Sequence, residues 1–135
     1  MEETRKPVLV ELANMLANSW RDPGNLVNID SRFFPLNREE AYFVQDCMYE
    51  LLEQGMVGWK VGATSARMRE LDGHEDVIPG RIFQSRSYFG ANHTLQIKYF
   101  PGARAEAEFA FQLTAKPHLR QTLCAAAVRG AVCGC

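Results

Sequence analysis

Residues 104–111 read RAEAEFAF, and this stretch decides the predicted fold of the chain. Apolar residues occupy every second position from Ala105 to Leu113, while Glu106 and Glu108 lie at the alternate, mostly polar positions. Because successive side chains of a β-strand point to opposite faces, this two-residue period predicts a half-buried strand. On a helix the two glutamates would point in roughly opposite directions.

The glutamate pair has two interpretations at this point. On a strand, Glu106 and Glu108 would share a face with their α-carbons about 6.6–6.8 Å apart. Two carboxylates that close repel each other unless something lies between them, and a hard divalent cation prefers oxygen ligands of this kind. Alternation is also the ordinary pattern of a strand with one solvated face. The pattern alone leaves both interpretations open.

Length and composition indicate an ordinary globular domain. The chain has 135 residues, of which 47% are hydrophobic and 23% charged, with a net charge of −1. Such a balance gives no basic surface for nucleic acid and no basic amphipathic segment for a membrane surface. The first residues, MEETRKP, lack the layout of a signal peptide, and no segment is long and apolar enough to span a bilayer. We therefore expect a cytoplasmic protein.

The cysteines do not form a zinc motif. Cys133 and Cys135 are too close together for a CxxC-type half-site, and no second pair accompanies them. Cys47 borders the apolar stripe of a predicted helix, where it would act as a small buried hydrophobe. Since nothing indicates secretion, we expect reduced thiols.

Two helices are predicted in the N-terminal part. The spacing of Leu9, Leu12 and Leu16 predicts a helix over 6–20, with Pro7 suited to its first turn. A second helix begins after Asn37, which with Glu40 resembles a capping box, and Gly55 is placed to end it. Its expected buried stripe comprises Ala41, Val44, Met48, Leu51 and Leu52.

A second strand is predicted over 57–64, VGWKVGAT. Lys60 would lie on one face between Gly58 and Gly62, which leave space around its ammonium group. This arrangement suits a lysine in a site for an anionic ligand, although an exposed strand lysine would look the same. Ser65 can cap a short helix through about Leu71. Further short strands are predicted over 86–90 and 94–100, with His74 in the polar loop before them.

Three motifs in this order resemble a known enzyme family. They are GWKVGATS at 58–65, GRIF at 80–83 and RAEAEFAF at 104–111. The chain from about Val8 to Leu113 is similar to the 2-oxopent-4-enoate hydratase and 4-oxalocrotonate decarboxylase family, within the fumarylacetoacetate hydrolase superfamily. The resemblance implies an α+β fold in which N-terminal helices precede a mixed β-roll.

The resemblance also implies the site and its chemistry. Glu106 and Glu108 would hold Mg²⁺ or Mn²⁺, and Lys60 would be the active-site lysine, with Thr64 and Arg81 as weaker candidates for holding the substrate. The implied reaction is hydration of a 2-hydroxy-2,4-dienoate to a 4-hydroxy-2-oxo acid, in the catabolism of aromatic compounds. The metal would act as a Lewis acid, and Lys60 would supply charge to the substrate carboxylate or move a proton.

The C-terminal part departs from the family pattern. The family adds a third carboxylate ligand downstream, but none of residues 109–135 is Asp or Glu. The strands that close the β-roll are missing as well. We therefore expect a single, incomplete domain over 1–135: helical over 6–55, β-rich over 56–114, and with an atypical Ala/Cys/Gly/Arg-biased tail over 115–135 that suggests truncated or out-of-frame coding.

Other functions remain open on the sequence. A 2-oxo acid decarboxylase, or a hydrolase that cleaves acylpyruvates, would use the same metal platform; His74 is the available candidate base for the hydrolase. A further alternative is an inactive truncated chain or a non-catalytic subunit that folds with a full-length partner. We expect a homo-oligomer or an association with a related hydratase or decarboxylase subunit.

Overall fold

The computed structural model describes residues 2–24, 28–100 and 102–114. These belong to two compact units, Met1–Pro101 and Gly102–Cys135. The predicted tail over 115–135, with three of the cysteines, lies outside the described residues. The regular elements of the described ranges lie in the first unit: α1 Lys6–Arg21, α2 Arg38–Leu52, β1 Met56–Gly62, α3 Ala66–Asp72 and β2 Ile78–Phe83, with 3₁₀ turns at Glu3–Arg5, Ser31–Phe33, Gln84–Arg86 and Ile97–Tyr99.

Helix α1 confirms the predicted first helix and extends it by one residue. Pro7 lies in its first turn, where the missing N–H costs no intrahelical bond. Its apolar face packs on α2, and the main core cluster comprises Leu9, Leu12, Ala13, Phe33 and Val44. The guanidinium of Arg21 donates to the carbonyl of Leu51, which ties the C-terminal ends of α1 and α2 together.

Helix α2 begins where it was predicted to begin but ends before Gly55, and one residue of its expected buried stripe is exposed. Asn37 Oδ1 accepts a hydrogen bond from the backbone N–H of Glu40 at 2.9 Å. The helix ends at Leu52 because Glu53 adopts a left-handed conformation, with φ of 50°, before Gly55 is reached. Ala41 was expected in the buried stripe, which is wrong: Ala41 is exposed and Glu40 is buried. The buried carboxylate of Glu40 pairs with Arg5.

Strands β1 and β2 form a two-stranded antiparallel sheet. Trp59 pairs with Arg81, Lys60 with Gly80, and a bulge interrupts the register between Met56 and Gly58. Phe83, at the end of β2, is buried in a second core cluster with Ala17 and Leu52. Its ring lies 5.2 Å from that of Trp20 in an edge-on arrangement. The sheet is thus attached to the helices through β2.

The β-rich region is smaller than predicted. Within the described part of 56–114, β1 and β2 are the only strands, and the predicted strands over 86–90 and 94–100 are replaced by 3₁₀ turns and irregular backbone. Residues 103–113 are assigned to neither helix nor strand, so the strand predicted over 104–111 is not formed there. Alternation determines which side chains share a face, but a strand also needs a neighbouring backbone to pair with.

The helices and the small sheet confirm the α+β class, while the β-roll stays a prediction. The described 102–114 segment is exposed throughout. Among the residues that the structure describes, no helix is long and apolar enough to cross a membrane.

Burial within α1 gives the first test of this architecture. Leu9 is fully buried, whereas its neighbour Val10 is 40% exposed. We expect Leu9→Ala to lower the free energy of unfolding by about 2–5 kcal/mol through lost contacts and a residual cavity. The matched variant Val10→Ala should cost less than about 1 kcal/mol. Urea denaturation measures both, and equal losses would contradict the assigned face of α1.

Candidate functional site

Lys60 lies on a face of the sheet that is rich in glycine. Gly58 and Gly62 flank it along β1, and Gly80 lies opposite it on β2. A methyl group added at Gly62 would lie 4.0 Å from Lys60 Nζ, so the ammonium group lies over the space that this glycine leaves. Lys60 is exposed, as are Ile78 and Ile82 on the same face.

The face around Lys60 is defined by the register. Gly58 pairs with Ile82 and Gly62 pairs with Ile78, so the two isoleucines lie at either end of the same face. We call this set the lysine face; it comprises Gly58, Lys60, Gly62, Ile78, Gly80 and Ile82. It combines the charge of Lys60 with apolar side chains at both ends, which suits a short carboxylic acid with a hydrocarbon part.

The prediction that the strand includes Thr64 is wrong: β1 ends at Gly62, and Thr64 lies in the connection to α3. Ala63 before it has a positive φ of 54°, which turns the chain out of the strand. Arg69 Nη1 donates to the carbonyls of Ala63 and Thr64, both at 3.1 Å. Ser65 Oγ then caps α3 by accepting from the N–H of Met68 at 3.2 Å. The backbone of this connection is held by α3, and the Thr64 residue is exposed.

Arg81 lies on the opposite face of the sheet from Lys60. Because Arg81 pairs with Trp59, both share the face turned towards α2. Its guanidinium donates to Gln45 Oε1 at 3.1 Å and lies 2.5 Å from Asp46 Oδ1. It also lies between two aromatic rings, 4.9 Å from the centre of Tyr49 and 5.2 Å from that of Trp59. The structure therefore separates two residues that were predicted to hold one substrate.

Glu106 and Glu108 lie in the second unit, outside any helix or strand, and both are exposed. Their carboxylates are hard oxygen donors suited to Mg²⁺ or Mn²⁺. They can supply two protein ligands, and water or substrate oxygens would complete the coordination. Within the described ranges, no group of three or more Asp, Glu, His or Cys residues is gathered in a metal-binding arrangement. The pair thus fits a weakly held divalent cation rather than a closed structural metal site.

His74 and Cys47, two further candidate residues, have ordinary structural surroundings. His74 is exposed in the loop after α3, where its backbone N–H donates to the carbonyl of Arg69 at 2.8 Å. Cys47 is half-buried on α2 and packs against the main core cluster. Burial, with the nearby charge of Asp46, raises the pKa of the Cys47 thiol above its ordinary value. The thiol is therefore a packing group with low reactivity at neutral pH.

One buried ion pair was not predicted from the sequence. Glu40 is only 3% exposed, and its carboxylate accepts from Arg5 Nη2 at 3.0 Å and from Arg5 Nε at 3.3 Å. The N–H of Leu36 donates to the same carboxylate at 2.9 Å. Arg5 also donates to the carbonyls of Arg32 at 3.2 Å and Phe34 at 2.9 Å. The pair joins the start of α1, the loop before α2 and the start of α2.

The ion pair changes the ionisation of both partners. Hydrogen bonds from Arg5 and from the backbone of Leu36 lower the pKa of Glu40, while Glu40 raises the pKa of Arg5. Both side chains line an open cavity of about 370 Å³ with Glu2, Leu36 and Asn37. The capping pattern of Asn37 and Glu40 correctly predicts the start of α2. The partner of Glu40 comes from 35 residues away, however, and no local pattern indicates it.

Comparison with known proteins adds no relative: no family model matches the chain, no curated protein matches it, and no solved structure matches its fold.

The ionised state of Glu40 predicts a pH dependence of stability. Its pKa is lower in the folded chain than the ordinary 4.5, so its contribution is full above that value and is lost as pH falls through the lower folded pKa. We expect Glu40→Gln to lower the thermal midpoint at neutral pH, and the gap to the parent to close in acid.

The matched control is Glu50→Gln, which removes the same charge from an exposed position on α2. Thermal unfolding followed by circular dichroism across the acidic range measures both variants. A gap between the parent and Glu40→Gln that is constant with pH would contradict this role of the carboxylate.

Proposed function

We propose that this chain carries the metal-dependent site of a hydro-lyase that hydrates a 2-hydroxy-2,4-dienoate to a 4-hydroxy-2-oxo acid. The observation that carries the proposal is the lysine face. The GWKVG motif lies in strand β1 and places an exposed Lys60 among three glycines, and the acidic pair follows in the order that the resemblance requires. The proposal rests on this arrangement and on the resemblance, and the structure supports its lysine part most directly.

Lys60 has the properties needed to bind the substrate acid. Its Nζ would pair with the substrate carboxylate, and the neighbouring glycines let that carboxylate approach without meeting side-chain carbon. Ile78 and Ile82 flank the lysine with apolar surface for the hydrocarbon part of a dienoate. The same Nζ would move a proton to or from the substrate.

Glu106 and Glu108 are the proposed holders of the divalent cation. When bound, Mg²⁺ or Mn²⁺ would stabilise negative charge at the 2-oxo oxygen of the substrate. The carboxylates bind and orient that ion and leave other positions for substrate oxygens and water. Hydration needs only that a water molecule adds across the diene and that protons are redistributed, with no redox step.

The decarboxylase alternative uses the same residues and differs in product. Loss of CO₂ from a 2-oxo dicarboxylate also requires stabilisation of an enolate at the 2-oxo group. A hydrolase would need a positioned base, and His74 lies in an exposed loop with no catalytic partner among the contacts described above. Measuring CO₂ release alongside hydration separates the first two reactions.

A second candidate function is favoured by the exposed apolar side chains of the second unit. Phe109 is 95% exposed, and Phe111 and Leu113 are each 59% exposed. Side chains of this size are usually covered in a working protein. We propose a related hydratase or decarboxylase subunit as the cover, with this chain as a subunit of that assembly. Light scattering of the purified chain, alone and mixed with such a subunit, tests the association.

The activity test uses the purified chain with Mg²⁺ or Mn²⁺ and a 2-hydroxy-2,4-dienoate, followed by the loss of dienoate absorbance. We expect Lys60→Ala and Glu106→Ala each to reduce kcat/KM by at least about 100-fold, because each removes a group that touches the substrate or the metal. Matched controls are Lys98→Ala and Glu75→Ala, which remove the same charges from exposed positions.

The controls should retain the rate of the parent. A parent without activity, or an active parent whose rate is unchanged in Lys60→Ala, would contradict the proposed function.

A further inference from the structure

The chain that leads into α2 lies against the core through one large apolar side chain. We call residues 29–36 the strap. Phe33, in the 3₁₀ turn of the strap, is 4% exposed and packs in the main core cluster, with Ile29 partly buried beside that cluster. Phe34 and Leu36, in the same strap, are exposed. Phe33 is therefore the main apolar anchor of the strap.

The backbone of the strap is bound to the helices at the buried ion pair. Arg5 donates to the carbonyls of Arg32 and Phe34, and the N–H of Leu36 donates to Glu40 Oε2. The guanidinium of Arg5 is itself oriented by Glu40, which accepts from its Nε and Nη2. One carboxylate thus holds the strap directly at Leu36 and, through Arg5, at two further points.

The C-terminal ends of α1 and α2 are joined by contacts that do not involve the strap. Arg21 donates to the carbonyl of Leu51, and the second core cluster unites Ala17 and Leu52 with Phe83 of β2. Parts of one structure can open locally with different free energies when their contacts are separate. Loss of the attachments of the strap should therefore leave these ends of the helices packed.

Protonation of Glu40 would weaken all the polar attachments of the strap together. It removes the negative charge and places a hydrogen on one of the two oxygens that accept from Arg5. A guanidinium offers only donors, so that oxygen becomes a poor partner for it. A neutral carboxyl is also a weaker acceptor for the N–H of Leu36 than a carboxylate is.

Other charged groups act on the pair from both helices. The charge of Glu2 raises the pKa of Arg5, and the amino terminus lowers that of Glu40. On α2 itself, Arg38 and Glu39 precede Glu40 in the first turn. The hydrogen bond from Arg5 has the largest effect and keeps the pKa of Glu40 below the ordinary 4.5. The carboxylate is therefore ionised at neutral pH.

The strap carries two charged residues of its own. The guanidinium of Arg32 lies 4.6 Å from the ring centre of Phe33, and Asp30 Oδ1 accepts from the N–H of Arg32 at 2.9 Å. Asp30 is thus a second carboxylate whose protonation would act on the strap. It makes this contact within the strap, whereas Glu40 joins the strap to the helices.

We propose that the strap is an acid-sensitive cover, which ionised Glu40 holds closed on the α1–α2 core and which opens as one unit when Glu40 is protonated. Opening withdraws Phe33 and uncovers the apolar side chains of Leu9, Leu12 and Val44 that share its cluster. It differs from a general loss of stability because the C-terminal ends of α1 and α2 stay packed. It is also independent of the proposed function.

Hydrogen exchange of single amides, measured by ¹⁵N nuclear magnetic resonance on the full chain, tests the proposal. The reporters are the N–H groups of Phe33, Phe34 and Leu36, which donate within the closed strap or to Glu40. The reference is the N–H of Leu52 near the end of α2. At neutral pH we expect Glu40→Gln to lower the protection of the three strap amides by at least about tenfold and that of Leu52 by less than about twofold.

Two further variants separate the geometry of the pair from its charge. Arg5→Lys retains the positive charge but loses the fork that reaches two carbonyls and a carboxylate at once, so it should also lower the protection of the strap. Glu50→Gln removes the same charge as Glu40→Gln from an exposed position on α2, and it should leave the strap unchanged.

The acid response is measured on the same amides, with each rate divided by the intrinsic exchange rate at that pH. In the parent, protection of the strap should fall as pH drops through the lowered pKa of Glu40, before that of Leu52 falls. In Glu40→Gln it should be low already and change little with pH. Asp30→Asn should keep the response of the parent, because its amide oxygen still accepts from Arg32.

Several results would overturn the proposal. One is an equal loss of protection at Leu52 and in the strap, which would mean that the whole domain opens. Others are a parental acid response in Glu40→Gln, or its loss in Asp30→Asn, which would place the titrating group elsewhere. If Glu40→Gln does not fold, the acid response of the parent and the protection of the strap in Arg5→Lys decide, and an unchanged strap in either would contradict the cover.

Discussion

Docking of β2 along one side of α2 is the contact on which the arrangement of the first unit depends. Phe83 at the C-terminal end of the strand packs in the core beside Leu52. Arg81, two residues earlier in the strand, pairs with Asp46. At the other end, the guanidinium of Arg38 donates to the backbone carbonyls before β2. The α2 residues that contact this strand and the residues before it include Arg38, Gln45, Tyr49 and Leu52, which recur at spacings of seven, four and three. A single side of α2 therefore supports the strand. Strand β1, which carries Lys60, is placed through β2.

This docking explains why the two faces of the sheet differ. The face towards α2 holds the large side chains Trp59, Arg81 and Phe83, whose contacts are aromatic and ionic. The other face holds Lys60 and three glycines, and it is lined by exposed isoleucines at its two ends. The contacts with α2 are thereby concentrated on one side of the sheet, and Lys60 lies on the other side, where it is exposed.

Local patterns predicted the helices and the lysine strand well because their determinants lie close together in the sequence. The spacing of Leu9 and Leu12 gave α1, Asn37 gave the start of α2, and Ser65 gave α3. The assignment of Glu40 to a capping role was incomplete, since its carboxylate turns to Arg5, far away in the chain. The strand over 104–111 was also predicted from alternation, but pairing requires a partner strand that the pattern itself cannot supply.

The same distinction applies to the candidate site. The position of Lys60 between glycines could be predicted because it follows from a two-residue period within one strand. The separation of Arg81 from Lys60 could not, because it depends on the register between two strands. The role of Glu106 and Glu108 depends on a metal, which neither alternation nor the exposed setting of the two carboxylates establishes.

The most direct test of the proposed site is therefore titration of the purified chain with Mn²⁺, followed by electron paramagnetic resonance of the free ion. If the acidic pair holds the metal, the parent should bind one Mn²⁺ that Mg²⁺ displaces. Glu106→Gln and Glu108→Gln should each weaken this binding by at least about tenfold, and Glu75→Gln should leave it unchanged. Absence of Mn²⁺ binding by the folded parent, or binding unaffected by either substitution in the pair, would contradict the account.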